Sequence, residues 1–101
     1  LAATAHTEAV IANNKAQRTR TKTALETMGL SVAPSHGNFL MVDFGTADKA
    51  ADVISHLAAA NIQVRGIGGY GLPSMVRVSM GLPTEMDAFL ASVQSWCEQA
   101  V

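Results

Sequence analysis

Acid is missing from one long stretch of this sequence: no aspartate or glutamate stands between Val53 and Thr84. Arg65 and Arg77 are the only ionised side chains in that span. An arginine set in an apolar run with no local acid needs an anion from elsewhere, either a distant carboxylate of the chain or a ligand. Other scarcities set outer limits. A single cysteine, Cys97, excludes an internal disulfide framework. His6, His36 and His56 lie far apart without metal-ligand spacing, so no metal site is expected. No run is long and apolar enough to span a bilayer, and the start lacks the basic flank of a signal peptide. A net charge of −1 removes the bulk electrostatic case for nucleic acid or an anionic membrane. Charge is sparse, at 15% against 49% hydrophobic residues. Either a high alanine content explains this, or apolar surface faces another domain or subunit.

The 101 residues correspond to one small domain. They begin with leucine inside a helical pattern, so a fragment of a longer protein is expected. Residues 1–28 contain no proline or glycine and read as one long helix, with Gly29 as its stop. Ala2, Ala5, Ala9, Ala12 and Ala16 make a narrow small-residue face, and Lys15, Arg18 and Lys22, with Arg20 nearby, a solvated basic one. Residues 30–37 read as a connection. Residues 38–44 are nearly continuously apolar and read as a central strand. Thr46 caps a helix over 47–60 whose apolar face is Ala47, Ala50, Ala51, Ile54, Leu57 and Ala58, with His56 toward solvent. Residues 62–65 and 75–80 read as two further strands. In the second, Val76, Val78 and Met80 face the core while Met75, Arg77 and Ser79 face the other way. Thr84, with Asp87 three residues on, caps a last helix. Its stripe of Met86, Phe89, Leu90, Val93, Trp96 and Cys97 reads as core. The expected fold is α+β: a two-layer small domain, a sheet of three or four strands with helices packed on one side and an open opposite face.

Gly66, Gly68 and Gly71 spell G-x-G-x-x-G, but a dinucleotide turn needs a helix next, and here Pro73 and a strand follow. The glycines serve a tight loop. Cys97 sits in an apolar stripe without a nearby base and reads as inert. Tyr70 either hydrogen-bonds a ligand or packs the loop down. Asn38 either caps a turn or orients a neighbour. His36 reads as a surface turn residue. Arg77 either pairs with Asp43 on the central strand or joins Arg65 in gripping a carboxylate or phosphate.

The series Pro34-Ser35-His36-Gly37-Asn38-Phe39-Leu40, Ile62-Gln63-Val64-Arg65, Tyr70-Gly71-Leu72-Pro73, Val76-Arg77-Val78-Ser79-Met80-Gly81 and Pro83-Thr84-Glu85-Met86 resembles a known family. It is similar to the C-terminal small domain of fold-type I pyridoxal-phosphate aminotransferases, most of all the histidinol-phosphate branch. The resemblance implies that residues 1–28 are a linking helix and 29–101 the small domain, with the N-terminal cofactor-binding domain outside this chain. It implies a cytoplasmic homodimeric parent that moves an amino group between a small-molecule donor, histidinol phosphate or a related amino acid, and a 2-oxo acid such as 2-oxoglutarate. Arg77 and Arg65 would grip the substrate's anionic group, with Tyr70 and Asn38 close by. No catalytic residue is implied in this chain: Lys15, Lys22 and Lys49 match no Schiff-base motif, so pyridoxal phosphate would be held by the parent and not covalently here. The alternative is a free-standing α+β module that binds a small anion or a partner without catalysis.

Overall fold

The computed structural model describes residues 2–33, 38–67 and 71–99, with side chains of the first helix from residue 8 onward. Three helices, α1 (Ala2–Thr27), α2 (Ala47–Ala59) and α3 (Pro83–Gln99), pack on one sheet of four strands. The strands are β1 (Ser31–Ala33), β2 (Phe39–Asp43), β3 (Arg65–Gly66) and β4 (Met75–Ser79), in the spatial order β1-β2-β4-β3 and antiparallel throughout. β2 and β3 therefore run parallel, joined over α2, and β4 inserts between them. The insertion follows from polarity. β4 carries Val76 and Val78, which are buried, whereas β3 is short and exposed and suits an edge.

The expected central strand is internal, but only one of its faces is fully buried. Leu40 and Val42 are covered; Phe39, Met41 and Asp43 are half-covered. β1 lies within residues 30–37, which read from sequence as a connection. Three residues are too few to show a period, and the strand exists because it pairs with β2. Conversely, of the strand expected at 62–65 only Arg65 is paired, together with Gly66. Gly66 lies close under α2, where a Cβ would stand 3.3 Å from Ile54 Cδ1.

The helix stops have a shared mechanism. Gly29 adopts φ +91°, and Leu30 N–H and Gly29 N–H donate back to the Leu25 and Glu26 carbonyls at 3.1 and 3.0 Å. Asn61, at φ 63°, does the same for α2 through Ile62 N–H to Leu57 O and its own N–H to Ala58 O. Thr46 caps α2 as expected, accepting from Lys49 N–H at 3.1 Å. At α3 the expected cap is displaced. Pro83 is the first helical residue, Thr84 lies inside the first turn, and Glu85 Oε1 accepts from Leu82 N–H at 2.7 Å. Asp87 is engaged elsewhere, by Arg20.

The core joins Leu25, Val32, Leu40, Val42, Val53, Leu57, Val76, Val78, Phe89 and Val93 into one cluster. The α3 stripe packs as expected, with Leu90 and Cys97 only partly buried. Phe44 and Trp96 meet edge to face at 5.5 Å, and Trp96 Nε1 donates to Asp52 Oδ2 at 2.6 Å, tying α3 to α2. Two helix faces differ from expectation. In α2 the buried positions are Ala50, Val53 and Leu57; Ala47, Ala51 and Ala58 are exposed, and His56 is half-buried. In α1 the described alanines Ala9, Ala12 and Ala16 are exposed, and the packed residues are Gln17, Thr21 and Leu25, four apart. Alanine gains too little by burial to set the rotation of a helix against a partner that offers polar groups. Those groups belong to the start of α3. Arg20 donates to Asp87 Oδ1 at 2.6 Å and to Pro83 O at 3.2 Å while bonded to Gln17, and Asn13 Nδ2 donates to Gly81 O at 3.2 Å.

Thr21 is fully buried on this seam and its hydroxyl has no partner among the described residues, although Thr23 and Thr27 bond back to Thr19 O and Thr23 O. A buried unsatisfied hydroxyl costs about 1–3 kcal/mol. Thr21→Val keeps shape and β-branching, so it is expected to raise the unfolding free energy by about 1 kcal/mol, read as a higher urea midpoint at unchanged m-value.

Candidate functional site

All three helices pack on the face of the sheet that carries Val32, Leu40, Val42, Val76 and Val78. The opposite face carries Phe39, Met41 and Asp43 from β2, Arg77 and Ser79 from β4, and Arg65 from β3. Strand alternation anticipates the direction of Arg77, and the register adds the neighbour. Arg65 and Arg77 are direct cross-strand partners. Cβ atoms so placed stand roughly 5 Å apart, and like charges in that position repel. Both arginines are exposed, and neither forms an ion pair with any described residue. Arg77 forms no ion pair with Asp43, whose Oδ1 accepts from Gly45 N–H at 2.8 Å. Arg77 rests on Phe39, its guanidinium carbon 4.5 Å from the ring centre.

A cavity of about 320 Å³ is lined by Arg65 and Arg77 with Gln63, Val64 and Ser79. Its donors are two guanidinium forks, an amide and a hydroxyl, with no acid among them. Chemically it is suited to an anion with several oxygens. Asn38, also singled out from sequence, is exposed at the start of β2, and its carbonyl accepts from Met80 N–H at 2.6 Å. It stands at the end of the β2–β4 ladder where Phe39 faces Ser79. Tyr70 and His36 lie outside the described residues.

The remaining candidates fall away from this face. After Gly71 the chain turns into β4 and not into a helix, so the glycine spelling lacks a dinucleotide context. Burial and the neighbouring Glu98 raise the Cys97 thiol above its ordinary range, which opposes a nucleophilic role. No group of metal-ligating side chains is gathered among the described residues. No described helix is long and apolar enough to cross a membrane. Lys15 and Lys22 stand on α1 and Lys49 on α2, in the helix layer. None stands on the strands that carry the arginine pair, so these residues do not fit a covalent anchor for an aldehyde cofactor at this site.

Phe39 is the residue that sequence reading passed over. Its period places it opposite Leu40, but only the β2–β4 register brings it to Arg77. The Arg20–Asp87 pair was equally hidden, because 67 residues separate its members.

Comparison with known proteins bears on the whole arrangement. The family model for aminotransferase class I and II matches residues 2–93. A histidinol-phosphate aminotransferase of Hyphomonas neptunium is 42% identical over 73 residues, covering 72% of this chain and 20% of that protein. Another, of Rhodospirillum centenum, is 40% identical over 84 residues, covering 82% of this chain and 23% of its own length. The crystal structure of histidinol-phosphate aminotransferase from Sinorhizobium meliloti, in complex with pyridoxal-5'-phosphate, superposes with a TM-score of 0.90 at 25% identity. That match covers 99% of this chain and 28% of the other. The chain thus spans about a fifth to a quarter of the curated relatives it matches. With the α+β architecture, the strand order and nearly the full length accounted for, the chain belongs to the aminotransferase class I and II family.

Proposed function

We propose that this chain is the substrate-gripping small domain of a pyridoxal-phosphate-dependent aminotransferase that moves an amino group between histidinol phosphate and a 2-oxo acid such as 2-oxoglutarate. Residues 1–28 link it to a large domain that holds the cofactor, and residues 29–101 form the C-terminal small domain. The observation that carries the reading is the cross-strand pairing of Arg65 with Arg77, two like charges held together on an open face with neither paired to a described acid. Such a pair is stable when a doubly charged group lies between the forks, and a phosphate monoester supplies one. Arg65 and Arg77 bind and orient; they move no proton, so their contribution is positioning. Asn38 and Tyr70 belong to the same substrate-binding set. The cofactor supplies the electron sink for amino transfer, and the large domain supplies its anchor. The parent works as a cytoplasmic homodimer.

The test is kinetic. Arg65→Gln in the full-length enzyme is expected to raise KM for histidinol phosphate about tenfold, the loss of one charge-assisted contact, with a smaller change in kcat. It is expected to leave KM for the 2-oxo acid less affected, because one carboxylate uses fewer donors than a phosphate. Equal effects on the two substrates would count against a phosphate between the forks. Reading the coding sequence upstream of Leu1 for a Schiff-base lysine decides between this enzyme and a free-standing anion-binding module.

A further inference from the structure

Among the described residues no carboxylate holds Arg77, yet it has a defined partner, the Phe39 ring. The register explains the meeting. Met41 is directly across from Arg77 and Ser79 is directly across from Phe39, so Phe39 is the diagonal neighbour of Arg77. An aromatic ring and a long side chain span that separation. On the other flank stands Arg65, whose like charge pushes the Arg77 guanidinium toward β2. The acid on the same face of β2, Asp43, is turned to the Gly45 N–H. Orientation therefore comes from an aromatic face.

The choice has a chemical consequence. A carboxylate partner would occupy the N–H donors of the fork, and an incoming anion would have to displace it. A ring face attracts the positive charge without accepting those in-plane N–H groups, which stay available. Arginine also carries considerable rotamer entropy, part of which a platform removes before the anion arrives.

We propose that Phe39 is a positioning residue that holds the Arg77 guanidinium ready for the substrate anion while leaving its donors free. The proposal rests on the reading of Arg77 as an anion ligand. The experiment uses the full-length enzyme and two readouts: KM against kcat for histidinol phosphate, and the Ki of inorganic phosphate as a competitive inhibitor. Phe39→Leu keeps an apolar side chain of similar bulk and removes the ring. It is expected to raise KM and Ki together by about 2- to 5-fold, the range of an exposed cation–π contact, with kcat within about twofold. Phe39→Tyr keeps the ring and is expected to match wild type. In an Arg77→Ala background, Phe39→Leu is expected to add nothing further. Wild-type KM and Ki in Phe39→Leu, or equal losses in the Leu and Tyr variants, would overturn the role of Phe39 alone, provided that Arg77→Ala weakens both. Wild-type KM and Ki in Arg77→Ala would overturn the anion-site reading and this proposal together.

Discussion

Arg77→Ala in the full-length enzyme is expected to raise KM for histidinol phosphate about 10- to 100-fold while changing kcat much less. The magnitude is that of one charge-assisted, two-pronged contact, about 1.5–3 kcal/mol at 1.4 kcal/mol per decade. The direction in stability is the sharper part. Arg77 faces Arg65 across the strand pair and forms no ion pair with a described residue. Removing it relieves a repulsion and loses one contact with a half-buried ring. The thermal midpoint is therefore expected to stay level or rise slightly, although activity falls. A residue kept for folding would behave the other way. Arg77→Lys should recover only part of the loss, since an ammonium cannot grip two oxygens in one plane. Steady-state kinetics and a melting curve on the same preparations give the answer; unchanged kinetics, or a large loss of stability, would contradict the anion-binding role.

The largest loss of stability is expected from Phe89→Ala, about 3–5 kcal/mol by urea unfolding. Phe89 is 2% exposed and sits between Met86 and Val93 on the face of α3 that meets the core. It also borders a cavity of about 520 Å³ between the start of α3 and the run from Ala60 to Val64. Truncation there removes the ring's buried contacts and leaves a space that the surrounding side chains fill only in part. A small domain has a total stability of only about 5–15 kcal/mol, so a large fraction of the fold's margin would go. Phe89→Leu should lose far less, because most of the volume remains. Leu82→Ala provides the contrast: Leu82 is 63% exposed, and its removal should fall within about 0.5 kcal/mol of wild type. Similar losses at Phe89 and Leu82 would contradict the placement of the core.

Much of the fold was legible because its signals are local. A glycine that can take φ +91°, a threonine oxygen that meets an N–H three residues on, and a 3–4 stripe of large apolar side chains act within one or two turns. Alternation in 75–80 was enough to send Val76 and Val78 one way and Arg77 the other. Local signals misled where small or polar residues competed. The alanine stripe of α1 promised a contact face, but Gln17, Thr21 and Leu25 took it, because Arg20 and Asn13 could reach the start of α3. Thr84 and Asp87 spelled a cap two places too late, since Pro83 suits the first helical position and Asp87 was claimed by Arg20.

The order of residues was enough to set two arginines in an acid-free span and to point Arg77 away from the core. It determined the helices and the strong strands, because each depends on the properties of neighbouring residues. Packing between the elements settled that Arg65 and Arg77 face each other and that Phe39 lies under the guanidinium. Those facts depend on strand order and register. Register is set by how the whole core packs, so a shift of one residue would have turned Arg77 inward and parted the pair.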